Sequence, residues 1–433
     1  MSCGKTNSCF LSLPESIATE YKLSIYNLYL DEVSRTVYNT KTQAVCCFDD
    51  CMVKAADVDL MLENGFLVRG EEDELEDLKT EYDSREQFCD ELHLILATTM
   101  DCQFRCFYCY EKHPHKYMNT EVKNAILNLV EQHAAKGHNI SIVWYGGEPL
   151  LDFSTIRDMT LQFKTICKAH SVHYKASMIS NGYLFNDEMI SQLNDLCIES
   201  VQITVDGMRE IHEKRRPMID GNKSFERIIE NIIKIHDNTD TRVHLRINVD
   251  KSNIDSAYDL LNYIAKLGLN DIDANLGMMK AFGCDHVCDP NSTLIFSMKE
   301  FSAEYLCFRD HAKELGFNVA ISKMVPDYKI NSCTMDAPNS YVIDAEGYVY
   351  KCISLVGQQE RSIGNVLTRF NDNAHLLYSP FSNTMCRKCK YFPVCKGGCL
   401  LNNSENKKEC NVWQYITEKL MLREIKESSS HNT

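Results

Sequence analysis

The sequence predicts an α/β chain built on parallel strands. Three observations carry that reading. Apolar strand-like runs alternate with helical periodicities from residue 92 to residue 278. Chemically distinctive residues follow directly after those strands. Cysteine-rich and turn-rich sequence replaces the alternation near the carboxyl end. Repeated strand–helix units imply parallel strands, in an open sheet or a partial barrel, and place the chemistry at the strands' carboxyl ends.

The elements follow in order. Residues 1–22 read as a polar, flexible arm. Ser24–Leu30, Arg35–Tyr38 and Ala44–Phe48 read as short strands, and Asp31-Glu32 and Asn39-Thr40 supply turn chemistry between them. A helix near Ala56–Leu62, an Asn64-Gly65 turn and a strand at Phe66–Arg69 complete a small α+β module, assigned to residues 23–85. The acidic run Glu71–Asp77 is a linker or a solvated helix face.

Strands are expected at Leu92–Thr98, Ile140–Trp144, Tyr174–Ile179, Ser200–Val205, Val243–Val249 and Asp271–Met278. The intervening helices fall at Thr120–His133, Ser154–His170, Asp187–Leu196, Ser224–His236 and Ile254–Leu267, with Asn119 or Thr120 capping the first. This core is assigned to residues 86–280. A bridging region, 281–330, carries a helix near Phe301–Leu315. A cysteine-rich domain spans 331–412, and a helix and tail occupy 413–433.

Composition narrows the function. With 44% hydrophobic and 25% charged residues the chain is of ordinary globular type. No apolar run is long enough to span a membrane, and no signal peptide is evident, so the expectation is a cytoplasmic protein without a membrane partner. In that compartment thiols stay reduced, and 21 cysteines point to metal or catalysis. The net charge of −15 argues against a nucleic-acid partner.

The cysteines form two arrays. Cys102, Cys106 and Cys109 stand in a Cys-x3-Cys-x2-Cys run, and Cys386, Cys389, Cys395, Cys399 and Cys410 follow Cys333 and Cys352. Thiolates at such spacings suit iron–sulfur clusters or zinc. Three ligands on a cubane cluster leave one iron open.

The first array follows the first strand of the repeat. After it come Tyr145-Gly146-Gly147-Glu148-Pro149, Ser180-Asn181-Gly182, Gln202-Ile-Thr204-Val-Asp206-Gly207, His212-x2-Arg215-Arg216, and Arg246-Ile-Asn248-Val-Asp250. This ordered set resembles the radical S-adenosylmethionine (radical SAM) superfamily over nearly the whole chain. The resemblance implies a partial (β/α)6 barrel, a 4Fe–4S cluster on Cys102, Cys106 and Cys109, and SAM bound to the open iron. Gly146 and Gly147 would let the backbone approach the ligand. Glu148 would meet the SAM amino group, and Arg216 or Arg215 its carboxylate. Ser180, Asn181 and Thr204 are polar candidates, and Tyr108 would flank the adenine.

The second array resembles the seven-cysteine SPASM domain, which implies two auxiliary 4Fe–4S clusters. By that resemblance Cys386, Cys389, Cys395 and Cys410 hold the outer one, and Cys333, Cys352 and Cys399 the inner. Cys307, Cys284 or Cys288 would complete the inner set, or its iron stays open. The module at 23–70 is similar to the winged-helix peptide-recognition modules of peptide maturases, where a leader peptide adds as a strand. The expected function is maturation of a ribosomally made peptide by thioether or carbon–carbon cross-linking, with a reductant such as flavodoxin or ferredoxin. Two alternatives remain: an anaerobic sulfatase-maturating enzyme, which carries an aspartate where this chain has Ile353, and a non-catalytic iron–sulfur electron carrier. No residue is assigned as a catalytic base. Cys46, Cys47, Cys167 and Cys197 are expected to be core thiols.

Overall fold

The computed structural model describes residues 11–31, 35–48, 50–279, 293–317, 328–404 and 410–430. Cys3, Cys9, Cys284 and Cys288 lie outside the described residues. The chain divides into two compact units. The smaller comprises residues 1–88, 322–336 and 378–433, and the larger residues 89–321 and 337–377.

The smaller unit begins with α1 (Glu15–Ala18), β1 (Tyr21–Leu23), β2 (Asn27–Asp31), β3 (Thr36–Asn39) and β4 (Val45–Cys47). α2 (Val58–Glu63), β5 (Leu67–Arg69) and α3 (Glu74–Asp83) follow. β2, β3 and β4 form an antiparallel sheet, while β1 pairs with β5. The strand β1 begins at Tyr21, within residues read from sequence as the arm, and ends at Leu23. Three residues with no alternation give a pattern reading nothing to detect.

The acidic run becomes the start of α3. Asp73 caps it by accepting from the Leu75 and Glu76 amides, and acidic residues at a helix amino end are favoured by its dipole. Glu74 turns inward, where Ser24 Oγ (2.5 Å) and the Ile25 amide (2.9 Å) donate to its carboxylate. Leu11, Ile17, Val37, Val53, Met61, Phe66 and Leu67 form one core of this unit.

The larger unit is organised by β6 (Glu91–Thr99), α4 (Thr120–Ala134), β7 (Asn139–Gly146), α5 (Phe153–His170), β8 (Tyr174–Ser180), α6 (Asp187–Ser191) and β9 (Ile198–Thr204). Then come α7 (Arg209–Arg215), α8 (Phe225–Asn238), β10 (Arg242–Val249), α9 (Ile254–Lys266), β11 (Asp273–Met278) and α10 (Met298–Glu314). β6 to β11 lie side by side in chain order, each parallel to its neighbour. This is the expected α/β core, the partial (β/α)6 arrangement. Asn119 caps α4, its Oδ1 accepting from the Val122 amide at 3.0 Å.

Alternation explains how the strands sit. In β10, Val243, Leu245, Ile247 and Val249 are buried, while His244, Arg246 and Asn248 on the opposite face are partly accessible. Successive strand residues point to opposite faces. The apolar face packs on helices such as α8, whose Ile228, Ile229, Ile232 and Ile235 are buried. Each such side chain contributes about 1.5–3 kcal/mol relative to exposure. The polar face is left for ligands.

The sheet continues beyond the core. β12 (Ser340–Ile343) pairs in parallel with β6, and β13 (Tyr348–Tyr350), β14 (Gly364–Asn365) and β15 (Arg369–Phe370) extend it antiparallel. In the smaller unit α11 (Phe392–Cys395), α12 (Leu400–Ser404) and α13 (Trp413–Ser430) end the chain. Tyr26, Leu78, Tyr82, Phe381 and Phe392 share a core there, as do Leu28, Tyr38, Tyr391, Val394 and Met421. Among the described residues no helix is long and apolar enough to cross a membrane.

Candidate radical SAM site

The three-cysteine loop leaves the end of β6 and is held by backbone hydrogen bonds to the Gly146-Gly147 segment at the end of β7. The Gly147 amide donates to Thr99 O (3.0 Å) and the Glu148 amide to Asp101 O (2.8 Å). Both glycines are required by this approach. A Cβ on Gly146 would lie 2.2 Å from Thr99 O, and one on Gly147 would lie 2.2 Å from Asp101 O. Gly146 also has φ +137°, a conformation open mainly to glycine.

Burial pushes all three thiols above their ordinary range, Cys109 up to about 12. The Arg216 guanidinium opposes that effect at each of them, so the three thiols and Arg216 form one electrostatic cluster. Buried thiols that must lose their protons need a bound cation. Among the described residues no three His, Cys, Asp or Glu side chains converge on a single metal ion. A cubane cluster spreads its ligand sulfurs more widely than one ion does, and one buried and two half-buried thiols gathered around one arginine fit it.

Glu148 is fully buried. Its carboxylate accepts from the Leu150 amide (3.1 Å), Ser180 Oγ (2.8 Å) and the Asn181 amide (2.8 Å). Burial nonetheless pushes its pKa up to about 7. Asn181 reaches back to the cysteine loop, with Nδ2 3.9 Å from Cys102 Sγ and Oδ1 accepting from Gln103 Nε2 (3.3 Å). The structure thus brings Gly146, Gly147, Glu148, Ser180, Asn181 and Cys102 together. Thr204 ends β9 and is buried.

The two arginines separate in role. Arg215 donates to Asp250 Oδ2 at 2.8 Å, lies 3.6 Å from Asp206 Oδ2, and stacks over Phe107. It is consumed by the scaffold. Arg216 donates through Nη1 to the Tyr108 hydroxyl (2.7 Å), while its buried Nε has no partner among the described residues. Arg215 Nε also lacks a hydrogen bond, but its guanidinium is ion-paired with two carboxylates, whereas Arg216 makes no ion pair among the described residues, so Arg216 is the candidate for a ligand carboxylate.

In the sequence Asp206 and Asn248 stand within motifs, Asp206 with no assigned role and Asn248 with no settled one. In the structure the Tyr108 hydroxyl donates to Asp206 Oδ2 (2.5 Å) and accepts from Asn248 Nδ2 (3.2 Å), while Asp206 Oδ1 accepts from the Asn248 amide (3.0 Å). Tyr108 therefore anchors the cysteine loop to the ends of β9 and β10. A second network, Tyr110–Tyr145–Glu111, has no counterpart in the sequence reading. The Tyr110 and Tyr145 hydroxyls are 2.5 Å apart, Tyr145 donates to Glu111, and burial raises the Glu111 pKa to about 7. Only adjacency to Cys109 and to Gly146 marks those residues in the sequence.

In the smaller unit the Cys395 thiol, raised to about 11 chiefly by burial, also feels Cys389, Cys386 and Cys410. Those four thiols share one neighbourhood. Cys333 and Cys399 belong to the same unit, and Cys352 to the larger one. Cys307 is exposed on α10. Among the described residues no cysteine is in a disulfide. Cys167 is buried as expected, but Cys47 is exposed, because it lies on β4 at the margin of its sheet.

Residues 96–264 match the radical SAM superfamily model. The chain is 24% identical over 350 residues to a cysteine-type anaerobic sulfatase-maturating enzyme of Clostridium novyi, covering 72% of this chain and 88% of that one. It is 27% identical over 173 residues to the sporulation killing factor maturation protein SkfB of Bacillus subtilis, covering 40% of this chain and 39% of that protein. Its fold is similar to that of Streptococcus suis SuiB bound to the precursor peptide SuiA, with TM-score 0.53, 12% identity, and coverage of 90% and 98%. It is also similar to that of anSMEcpe with bound AdoMet and the Kp18Cys peptide, with TM-score 0.60, 18% identity, and coverage of 76% and 98%. Residues 96–264 thus carry a radical SAM domain, and the cofactors of that superfamily are a 4Fe–4S cluster and SAM. The chain's relatives include maturases, and the cysteine-rich carboxyl region is consistent with a SPASM domain.

Proposed function

We propose that the chain matures a ribosomally made peptide, forming a thioether or carbon–carbon cross-link. One observation carries this reading furthest. The margin strand β4 and the segments after it border a cavity of about 380 Å³, lined by Val45, Phe48, Met52, Leu60 and Phe66 among others. Val45, Met52 and Leu60 are exposed apolar side chains. A strand with an open edge beside apolar pockets suits an extended peptide, which gains affinity from backbone bonds and specificity from alternate side chains. Between residues 11 and 88 acidic residues outnumber basic ones by more than two to one, so a basic leader is favoured.

With the cluster and SAM in place, the cofactors would supply one-electron cleavage of SAM to a 5′-deoxyadenosyl radical. The chain's part is to hold and orient. Cys102, Cys106 and Cys109 would carry the cluster. Arg216 would take the SAM carboxylate and Glu148 its amino group, with Ser180 and the Asn181 amide fixing the carboxylate of Glu148. Tyr108, tied to Asp206 and Asn248, keeps the loop in register. Cys386, Cys389, Cys395 and Cys410 would hold one auxiliary cluster, and Cys333, Cys352 and Cys399 would serve the other.

Sulfatase maturation is the second reading, favoured by the likeness over 72% of the chain to the Clostridium novyi enzyme. Against it, Ile353 stands where that family places an acidic residue after the cysteine. The test is anaerobic reconstitution with two substrates, a precursor peptide encoded beside the gene and a sulfatase-derived cysteine peptide. Loss of two hydrogens from the precursor with 5′-deoxyadenosine release supports cross-linking. Aldehyde formation on the sulfatase peptide alone overturns it.

A further inference from the structure

A second cavity, of about 210 Å³, lies on the polar face of β9, β10 and β11 beneath α10. Its lining includes Gln202, His244, Arg246, Asp273, Asn275 and Arg309. Strand register places it. His244 is level with Gln202 and Asp273, two residues before the level of Arg246 and Asn275. Asn248 and Asp206, which hold Tyr108, stand further toward the carboxyl ends. The cavity is thus one layer removed from the candidate SAM residues.

Its charges do not balance. Asp273 is paired with His244 at 2.7 Å. Arg246 donates from Nε to Asn248 Oδ1 at 3.1 Å, and a Cβ on Gly277 would fall 2.1 Å from that nitrogen, so the glycine makes room for the guanidinium. Asp206 acts on Arg246 electrostatically, but its oxygens already accept from Tyr108 and the Asn248 amide. Arg309, on α10, is only 6% exposed. Its cation lies 5.8 Å from the Tyr305 ring centre. Among the described residues its Nη2 has no hydrogen-bond partner, and it makes no ion pair. A buried guanidinium left unpaired is costly, and the cavity that Arg309 borders, with the Arg246 cation on its other side, offers the compensating position.

We propose that this cavity binds a small oxyanion, a carboxylate or phosphate group, between Arg246 and Arg309. Gln202 and Asn275 supply neutral donors at its wall. A water occupies about 30 Å³ of liquid, so the space holds a handful of heavy atoms. That admits a free phosphate, a short dicarboxylate or the end of one acidic side chain, and excludes a length of peptide.

The test is calorimetric titration of the reconstituted holoenzyme, at low salt, with inorganic phosphate, succinate and N-acetylglutamate methylamide. Saturable binding of at least one is expected, weakened tenfold or more in Arg309→Gln. Asn275→Trp, at an exposed position, fills the cavity without disturbing the core and decides the matter should Arg309→Gln melt early. The capped glutamate binding as tightly as succinate assigns the site to an acidic substrate side chain. Phosphate or succinate binding without it assigns the site to a free anion. No saturable binding of any of the three to the wild type overturns the proposal. So does unchanged affinity in the deciding variant.

Discussion

The Arg216 guanidinium donates to the Tyr108 hydroxyl at 2.7 Å, joining the turn after α7 to the loop that carries the three cysteines. The same tyrosine donates to Asp206, so one buried phenol couples a cation and an anion from two other segments. The neighbouring arginine makes no hydrogen bond to that tyrosine: Asp250 holds its guanidinium, which packs on Phe107.

That division predicts different outcomes for two adjacent substitutions. Arg216→Lys keeps the charge but loses the planar fork, and should weaken SAM binding about tenfold with little change in melting temperature. Arg215→Lys should instead lower stability by about 2–4 kcal/mol, since it leaves Asp250 and Asp206 short of a partner in a buried setting. Equilibrium SAM binding and thermal melting of the reconstituted protein separate the two.

Glu148 predicts a pH dependence. Its pKa of about 7 is raised by burial, so below pH 7 the carboxyl is protonated and offers no charge to an ammonium group. SAM affinity should therefore rise with pH up to about 7, by at most tenfold per unit, and level off above it. Glu148→Gln should abolish the rise. Binding measured across that range with the cluster intact checks it.

Gly147→Ala tests the close packing of the two backbone segments. The added Cβ meets Asp101 O at 2.2 Å, and backbone cannot yield as a side-chain tip does. A loss of about 1–3 kcal/mol is expected, together with poorer iron loading on the first array. The melting temperature and an iron count per chain report it.

Val45→Pro tests the margin strand of the small sheet. Val45 pairs with Tyr38 on one side, and β4 has no partner strand on its other side among the described residues. Proline removes a donor and stiffens the strand. Affinity for a precursor peptide should fall at least fivefold, with SAM cleavage in the absence of peptide unchanged. Fluorescence anisotropy with a labelled leader peptide measures it.

The six parallel strands were legible because their apolar faces alternate or run continuously over six to nine residues, as in Val243–Val249. The cysteine loop and Gly146-Gly147 were legible because few chemistries call for those residue types at those spacings. Less visible was what depends on long-range placement. Nothing near Tyr108 in sequence announces Asp206 or Asn248, which reach it from about 100 and 140 residues away. The choice between Arg215 and Arg216 was likewise open, since adjacency in sequence says nothing about which one Asp250 captures. The helix Asp187–Leu196 proved shorter, ending at Ser191, where Gln192 to Cys197 wind into turns that lead directly into β9.

The strand β12 bears on whether the core can be cut free. Residues 340–343 return to lie against β6, more than two hundred positions after it, and close a side of the sheet that the earlier sequence leaves bare. A fragment ending after α10 would present the backbone donors and acceptors of β6 to solvent and to other copies of itself. The stretch that carries the superfamily's likeness is therefore not a detachable part. Its solubility depends on sequence that arrives only with the cysteine-rich end, and truncation should yield an aggregate rather than a minimal enzyme.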